Sequence, residues 1–235
     1  MKMHIKKICV VTGVMFALAA PAQAALVEGK DYQVLPQPIP QTQANKVEVL
    51  EFFGYFCVHC NHLEPTLLKH VRSWPSDTYL RAEHVVWSPE MMGLARIASA
   101  VNQSGLKMQA DQAIFKAVYD EKRNLADPAT FHQRAAQQTS FDSKKLVAAY
   151  DSFSNQADAK RMSDLTQQYQ IDSTPTIIVG GKYKMKFQGG DWNDGMLKVE
   201  EMVAKVRAER GMKTAVKVMP NLKSKGVLLS KAANK

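Results

Sequence analysis

The sequence predicts an α/β fold that is interrupted by an all-helical insertion. Three observations predict it: a strand-forming run followed by helical spacing after residue 46, about seventy residues of consecutive helical spacing in the middle of the chain, and strand-forming residues again after residue 175. Helices that follow one another between two strand segments indicate a helical domain inserted into an α/β one.

The elements of the first third alternate between strand and helix. Ala25–Asn45 is polar and holds three prolines, which predicts an exposed, extended lead-in. Val47–Phe53 is β-branched and aromatic, as is typical of a buried strand, and helical spacing runs from Cys57 to Val71. Leu80–Trp87 alternates enough to predict a second strand.

The insertion and the return to the sheet follow. Ser88-Pro89 is a helix start and Gly105 a helix stop, and further helices are predicted at about 107–122, 128–139, 143–153 and 155–169. Thr176–Val179 then predicts a strand, which a two-residue Gly180-Gly181 turn joins to a partner strand at Lys182–Gln188. Asp191 caps a last helix that ends near Arg210.

The composition is that of a globular protein, since 46% of the 235 residues are hydrophobic and 23% are charged. The net charge of +9 lies in the two ends: residues 1–24 and 211–235 carry nine lysines and no acid, which leaves 22 basic and 22 acidic residues between them. A body that binds nucleic acid is therefore not expected. The basic tail, 211–235, is interpreted as a solvated segment, with contact to anionic lipid headgroups or to an acidic partner as the alternative.

The N-terminal residues predict export. A basic segment, an apolar run from Ile8 to Ala20 and the small residues Ala22 and Ala24 form the pattern of a secretory signal peptide, residues 1–24, that is cleaved after Ala24. An uncleaved anchor is the alternative, although the apolar run is short for a membrane span. We therefore expect the mature chain in the periplasm.

Cleavage would leave the mature chain with two cysteines, Cys57 and Cys60, because Cys9 is removed. In an oxidising compartment, two cysteines this close form a disulfide, a metal pair or a redox centre. A purely structural disulfide is a poor interpretation, because closing so short a loop removes little entropy from the unfolded chain.

The Cys57-Val58-His59-Cys60 motif opens the first predicted helix. Unpaired backbone N–H groups and the helix dipole stabilise an anion there, and His59 can add a hydrogen bond or a positive charge. Lowering the pKa of Cys57 by about two units would make it roughly three-quarters thiolate at neutral pH. A stabilised thiolate favours the dithiol, so the disulfide becomes oxidising, with Cys57 the attacked and Cys60 the resolving cysteine.

Two segments carry a family resemblance. Glu51–Cys60, which reads EFFGYFCVHC, resembles the active-site segment of DsbA-type periplasmic thiol oxidases, and Thr174-Pro175 with Ile177–Tyr183 resembles their cis-proline loop and hairpin. The order of elements resembles a thioredoxin fold. This implies a thioredoxin-like domain made of residues 25–87 and 164–210, into which an all-helical domain, residues 88–163, is inserted.

The resemblance implies a thiol:disulfide oxidoreductase that donates its disulfide to reduced or unfolded exported proteins. Reoxidation would come from a DsbB-like, quinone-linked membrane partner, no cofactor would be needed, and the chain would be a monomer. The cis peptide at Pro175 would place the Thr174 backbone beside Cys57, where an extended substrate segment can pair with it. The same loop would keep metal away from the dithiol.

Two other functions stay open. The same fold can act as a periplasmic reductase or isomerase, and Val58 stands where DsbA itself commonly has proline. The other alternative is a copper chaperone or similar metal-binding module, because Cys57, His59, Cys60 and His62 are all metal-ligand types within six residues. A structural zinc site usually draws on a second, separated pair of ligands, and no such pair is visible in the sequence.

Acidic and aromatic residues near the motif have competing interpretations. Glu51, late in an apolar strand, is expected near Cys60 with a raised pKa, relaying the resolving thiol's proton and matching the family's buried acid; an edge-strand or salt-bridged glutamate is the alternative. Glu64 is interpreted as a solvated helix residue. Trp87, Met91 and Met92 are interpreted as core residues, with the wall of a hydrophobic peptide groove as the alternative.

Overall fold

The computed structural model describes residues 25–187 and 190–213, so the predicted signal peptide, 1–24, and tail residues 214–235 lie outside the described residues. Within these residues none of the helices has both the length and the apolar character needed to cross a bilayer. The elements are β1 (Tyr32–Val34), β2 (Val47–Phe53), α1 (Val58–Val71), β3 (Thr78–His84), α2 (Met92–Ser104), α3 (Lys107–Tyr119), α4 (Pro128–Ala136), α5 (Ser143–Tyr150), α6 (Phe153–Gln168), β4 (Thr176–Val179), β5 (Tyr183–Met185) and α7 (Trp192–Glu209).

The five strands form one mixed sheet in the order β1-β5-β4-β2-β3. β2 pairs in parallel with β3 and antiparallel with β4, so every residue of β2 is buried between two neighbouring strands and two packed faces. In this register Glu51 lies opposite Ala82 of β3 and Ile177 of β4. The predicted α/β fold with a helical insertion is confirmed.

Alternation along β2 sends side chains to both faces of the sheet. Val47 and Val49 pack with Leu63 and Leu67 of α1 and with the apolar stripe of α7. Leu50 and Phe52 face the other way, into a cluster with Ile39, Val85, Ile171 and Ile178. The start of α1 is thereby held at the carboxyl end of β2.

The insertion comprises α2 to α6, between β3 and β4. It begins with a single 3-10 turn at Pro89–Met91, and α2 ends at Gly105, whose φ of +65° is the left-handed helix stop that the sequence predicts. The apolar core of the insertion is continuous with Phe53, Cys57 and Cys60. The helical domain therefore packs directly against the cysteine pair.

Several local predictions are wrong. The lead-in is not simply exposed: it contributes the edge strand β1, and Ile39 is buried in the apolar cluster around Leu50, where its N–H also donates to the Gly181 carbonyl at 2.8 Å. The hairpin loop has three residues, since Val179 pairs with Tyr183. Its second strand is only Tyr183–Met185, and Gln188 lies outside the described residues.

The second strand is also displaced from its prediction. It runs over Thr78–His84, two residues earlier at its start than the predicted Leu80–Trp87, and it ends three residues sooner. The difference arises because its register is set by parallel pairing with β2, from Val47 opposite Thr78 to Phe53 opposite His84. A period-2 pattern alone cannot reveal that pairing.

Candidate active site

Cys57 is the N-cap residue of α1. Its backbone is extended, and its Sγ accepts a hydrogen bond from the Cys60 N–H at 3.2 Å. The first N–H groups of a helix have no partner within the helix, and this end carries the positive end of the helix dipole. A thiolate at Cys57 is therefore stabilised by the helix that it caps.

The surroundings of Cys57 lower the pKa of its thiol to about 5. The largest cause is a hydrogen bond from the Cys60 side chain; burial opposes it, and contacts with Thr174 and with the backbone N–H groups of Cys60 and His59 reinforce it. This shift is larger than the two units that the sequence suggests, because the helix terminus acts together with the second cysteine. At neutral pH Cys57 is predominantly ionised.

Cys60 has the opposite character. Its side chain is completely buried, whereas Cys57 retains an exposed fraction of 9%. Burial raises the pKa of the Cys60 thiol, and the neighbouring Cys57 and Glu51 act in the same direction. One accessible thiolate and one buried, protonated thiol are thus separated by a single helical turn.

A loop from β2 to α1 holds Cys57 in place through a buried histidine. His84 accepts a hydrogen bond from the Tyr55 N–H at 3.0 Å and donates one to the Val85 carbonyl at 2.7 Å. Burial lowers the pKa of His84 to about 4, so its ring is neutral and keeps both roles. The Cys57 N–H completes the turn with a 2.9 Å bond to the Gly54 carbonyl.

The Thr174-Pro175 peptide bond is cis, as the family resemblance predicts. The Thr174 carbonyl lies 3.4 Å from Cys57 Sγ and accepts a hydrogen bond from the S–H when the thiol is protonated. Next to this contact is an open groove of about 500 Å³. The groove, named the cis-proline groove, is lined mainly by His59, the Ser173–Thr176 loop, Lys184–Phe187 and Trp192.

The two residues between the cysteines face solvent. Val58 has an exposed fraction of 44%, and the exposed ring of His59 lies 6.3 Å, centroid to centroid, from the Trp192 ring. The backbone N–H of His59 is among the groups that lower the pKa of Cys57. Within residues 25–187 and 190–213 no three His, Cys, Asp or Glu side chains converge in a way that could hold a metal ion.

Four charged side chains lie buried behind Cys60 and form what we call the buried charge cluster: Glu51, Glu64, Lys107 and Asp111. Lys107 Nζ is 2.5 Å from Asp111, 3.2 Å from Glu64 and 3.6 Å from Glu51. The three carboxylates have exposed fractions of at most 1%. Tyr55 donates its hydroxyl proton to Asp111 at 2.7 Å, which ties the cluster to the loop that carries Cys57.

The buried charge cluster holds more acid than base. Burial raises the pKa of Glu51 and, more strongly, that of Glu64, although Lys107 pulls both down. Burial by itself would lower the pKa of Lys107, but Asp111, Glu64 and Glu51 outweigh it and raise that pKa well above its usual value. Lys107 is therefore charged, and Glu51 and Glu64 are the groups in this cluster that can hold a proton.

Glu51 thus lies in the interior of the sheet, in a strand that is not an edge, and it is also paired with a lysine. The interpretation of Glu64 as solvated is wrong, because it packs on the α1 face that carries Cys60 and Leu67. Its position four residues after Cys60 and three before Leu67 was a signal of burial. Lys107 and Asp111 were missed, since nothing local shows which element their helix packs against.

The interpretation of Trp87 as a core residue is also wrong. Its exposed fraction is 43%, its ring centroid lies 5.6 Å from that of Phe56, and its indole N–H donates to the Ile171 carbonyl at 2.6 Å. Met91 and Met92 are only half-buried at the start of the insertion. Trp87 thus packs on Phe56 of the loop that carries Cys57, and Met91 and Met92 pack against the core that this loop shares with the helical domain.

The ionisation of Cys57 is the first testable prediction of this geometry. Thiolate absorbance of the reduced protein should titrate with a midpoint of about 5 and disappear in Cys57→Ser. Because the pKa of Cys57 is lower in the folded than in the unfolded protein, ionisation of Cys57 stabilises the reduced fold. This stabilisation is complete above the unfolded pKa of about 8.5 and is lost as the pH falls through the folded pKa of about 5. The excess stability of the reduced over the oxidised protein should therefore shrink from pH 8.5 to pH 5. A midpoint near 8.5 in the reduced protein contradicts this.

The second prediction concerns the cation of the buried charge cluster. Lys107→Met should destabilise the protein by about 3 kcal/mol at pH 8, because three buried carboxylates lose their counter-charge. Without the Lys107 ammonium, the pKa of the carboxyl groups in the folded protein rises further. Carboxyl groups whose pKa is raised by folding destabilise the fold as the pH rises, so the loss of stability should be smaller at pH 5 than at pH 8. Urea unfolding at both pH values measures this.

Lys116→Met is the matched control, since Lys116 is exposed on the same helix. It should change the free energy of unfolding by less than about 0.5 kcal/mol at either pH. Equal losses for Lys107→Met at pH 5 and pH 8 would show that its ammonium does not balance the carboxylates.

Comparison with known proteins agrees with this geometry. A family model described as "DSBA-like thioredoxin domain" matches residues 78–199. The "Thiol:disulfide interchange protein DsbA" of Burkholderia cepacia is 34% identical over 185 residues, which are 78% of this chain and 87% of that protein. Reduced DsbA1 from Neisseria meningitidis superimposes with a TM-score of 0.77 at 52% identity, over 80% of this chain and 99% of that one.

A second Neisseria meningitidis structure, the oxidoreductase NmDsbA3, has a TM-score of 0.71 at 58% identity and covers 79% of this chain and all of its own. The likeness thus extends over both the sheet and the helical insertion, and over most of the length of each relative. The chain belongs to the DsbA-like thioredoxin-domain family of thiol:disulfide interchange proteins.

Proposed function

We propose that this chain is a periplasmic protein disulfide oxidase that donates a Cys57–Cys60 disulfide to reduced, exported proteins. The observation that carries the proposal is the contrast between the two thiols. Cys57 has a pKa of about 5 at the start of α1, whereas the pKa of buried Cys60 is raised. Because the reduced form is stabilised by an ionised Cys57, the disulfide form gives up its oxidising equivalents readily.

The reaction moves two electrons onto the cysteine pair. A substrate thiolate attacks Cys57 Sγ of the disulfide; the Cys57–Cys60 bond breaks, and Cys60 leaves with the electron pair and takes up a proton. A second substrate thiolate then attacks the substrate sulfur of the mixed disulfide. Cys57 departs as a thiolate, which its low pKa makes a good leaving group, and the substrate keeps the new disulfide.

Substrate is held beside Cys57 by the cis-proline groove. The backbone of Thr174, next to Pro175 and within 3.4 Å of Cys57 Sγ, is placed to pair with an extended substrate segment. Val58 and His59 lie exposed between the cysteines, where they contact the same segment. His59 also donates its backbone N–H toward the Cys57 sulfur.

Glu51 supplies and accepts the proton of Cys60. It is fully buried on the Cys60 side of the sheet, neither of its oxygens has a hydrogen-bond partner, and burial raises its pKa toward the range useful for proton transfer. Its charge also acts on Cys60, since it helps to raise the pKa of that thiol.

The sequence and the family membership support the cellular setting that we propose. Residues 1–24 act as a cleaved signal peptide, the oxidised form is regenerated by a DsbB-like quinone-linked membrane partner, and the chain works as a monomer without cofactor. We assign residues 25–87 and 164–210 to the thioredoxin-like domain and 88–163 to the insertion. Helix α6 runs across the second boundary, so it belongs in part to both domains.

Disulfide transfer to a reduced peptide tests the proposal. Oxidised protein is mixed without air with an equimolar unfolded peptide that carries two thiols, and both partners are assayed for free thiols. We expect nearly complete oxidation of the peptide and reduction of the Cys57–Cys60 pair. Reduced Cys60→Ala, given the same peptide in its disulfide form, should instead accumulate a mixed disulfide: the Cys57 thiolate attacks the peptide disulfide and releases one peptide thiolate, and no Cys60 thiol is present to displace Cys57 from the product.

Two results would contradict the oxidase. If the disulfide stays on the protein and the peptide remains reduced, the chain is a reductase in the same fold. If Cys60→Ala forms no mixed disulfide and the wild-type chain exchanges no thiols, disulfide transfer itself is excluded. Asp164→Asn, at an exposed ion pair on α6, is the matched control and should behave as the wild type.

A further inference from the structure

Strand β3 is an edge of the sheet. It is the last strand in the order β1-β5-β4-β2-β3, and in the described part of the chain it pairs only with β2. An edge strand presents unpaired N–H and C=O groups, which natural proteins usually cover or interrupt. The outer side of β3 is therefore a surface that can accept a further strand.

The backbone groups on this outer side belong to the even-numbered residues of β3. The N–H of Val85, directly after β3, donates to the Phe53 carbonyl at 2.8 Å, so the odd-numbered residues face β2. Because backbone groups alternate in direction along a strand, those of Leu80 and Ala82 point outward. Asn102 of α2 donates to the Ala82 carbonyl at 2.7 Å. Among the described residues, both backbone groups of Leu80 and the Ala82 N–H have no hydrogen-bond partner.

A groove of about 740 Å³, named the β3 edge groove, runs along this outer side. Successive side chains of β3 point to opposite faces of the sheet, so the groove has two different walls. One wall is apolar and is formed mainly by Leu80, Ala82, Val101 and Met108. The other wall is charged, because Glu83 pairs there with Arg81 at 2.6 Å and with Arg161 at 2.7 Å. A strand that fits this groove needs apolar side chains on one face only.

The described part of the chain ends beside the beginning of this groove. The guanidinium of Arg207, near the end of α7, donates both to the Asp77 carboxylate and to the Lys213 carbonyl. Asp77 immediately precedes Thr78, which is the first residue of β3 and lines the groove. Since consecutive Cα atoms are about 3.8 Å apart, the residue after Lys213 starts next to the beginning of β3.

The residues that follow have the sequence pattern of a short strand. Thr214–Met219 reads TAVKVM, in which the β-branched residues Thr214, Val216 and Val218 recur at every second position. Six residues in a strand span about 20 Å, which is nearly the length of β3. Pro220 follows, and because proline has no N–H it ends a ladder of hydrogen bonds. The length, the alternation and the stop all match the free edge.

We propose that residues 214–219 dock in the β3 edge groove as a sixth strand and cover the free edge of the sheet. The segment starts beside Asp77 and extends toward the other end of β3, so the two strands are parallel. A second copy or a partner protein is a weaker occupant, because a segment tethered directly to the anchored Lys213 has a far higher effective concentration.

The two walls of the β3 edge groove determine the register. With Val216 opposite Leu80 and Val218 opposite Ala82, both valines lie on the apolar wall and Lys217 lies on the charged wall. A slip of one residue would place the valines on the charged wall. In parallel pairing this register lets the Lys217 N–H donate to the Leu80 carbonyl, and the Ala82 N–H donate to the Lys217 carbonyl.

The docked strand does not depend on the proposed oxidase activity. No residue that lines the β3 edge groove also lines the cis-proline groove. The proposal replaces the solvated interpretation of the basic tail for residues 214–219. Its role is to protect the edge of the sheet from pairing with other chains.

Hydrogen exchange of backbone amides in the full mature chain, followed by NMR, tests the docking. The Leu80 and Ala82 N–H groups should be protected in the wild type. Lys217→Pro, which removes the donor to Leu80 and breaks the pairing, should lower the protection of both by about tenfold or more. The N–H groups of Tyr79 and Arg81 face β2, so their exchange should be equally slow in both proteins.

Three further variants separate the strand from other effects. Lys217→Thr removes the ammonium but keeps the N–H, so it should retain the protection of Leu80 and Ala82. Val216→Asp should lower that protection, because it places a carboxylate on the apolar wall. Lys223→Pro is the matched control, since it makes the same substitution as Lys217→Pro outside the docked segment, and it should exchange as the wild type does.

Four results would overturn the proposal. Equal exchange of Leu80 and Ala82 in the wild type and in Lys217→Pro shows that this segment does not cover the edge. Protection that rises with protein concentration and survives Lys217→Pro assigns the groove to a second copy. An equal loss in Lys223→Pro excludes a strand confined to residues 214–219. An equal loss at Tyr79 and Arg81 shows that Lys217→Pro destabilises the whole sheet, which a docked edge segment does not explain.

Discussion

The stabilised anion of Cys57 at the start of α1 is the interaction on which the rest of the structure depends. Its pKa is lowered to about 5, first by a hydrogen bond from the Cys60 side chain and then by Thr174 and the backbone N–H groups of Cys60 and His59 at the start of the helix. A sulfur that is held as a thiolate favours the dithiol over the disulfide. The sheet, the neutral His84 and the cis-proline loop all serve to keep this one atom in place.

The cost of that arrangement is a resolving thiol that must ionise in an apolar interior. Cys60 lies within the core shared by the sheet and the insertion, where its thiolate is disfavoured. The buried charge cluster places ionisable side chains behind this thiol. Glu51 comes from β2, and Lys107 and Asp111 come from α3. The insertion therefore contributes charge to the redox centre as well as surface around it, and Tyr55 links the two domains through its bond to Asp111.

The elements and the cysteine motif could be predicted from sequence because they rest on local signals. Val47–Phe53, the Cys57 N-cap and the Gly105 stop each express a preference of a few neighbouring residues. The exceptions depend on partners that are distant in the sequence. Strand β1 forms by pairing with β5, and the exposed Trp87 ring is held by the hydrogen bond from its indole N–H to the Ile171 carbonyl, which follows α6. The buried charge cluster divides in the same way, because the apolar strand around Glu51 predicts its burial, whereas no local signal predicts the burial of Lys107.

The equilibrium potential of the Cys57–Cys60 pair tests the central claim most directly. The mature protein is equilibrated with glutathione buffers of defined ratio, and the reduced fraction is counted after the free thiols are trapped. If the Cys57 thiolate is stabilised as described, the potential lies well above that of the glutathione couple. A strongly reducing value, near about −270 mV as in thioredoxin, would contradict the account and leave a reductase in the same fold.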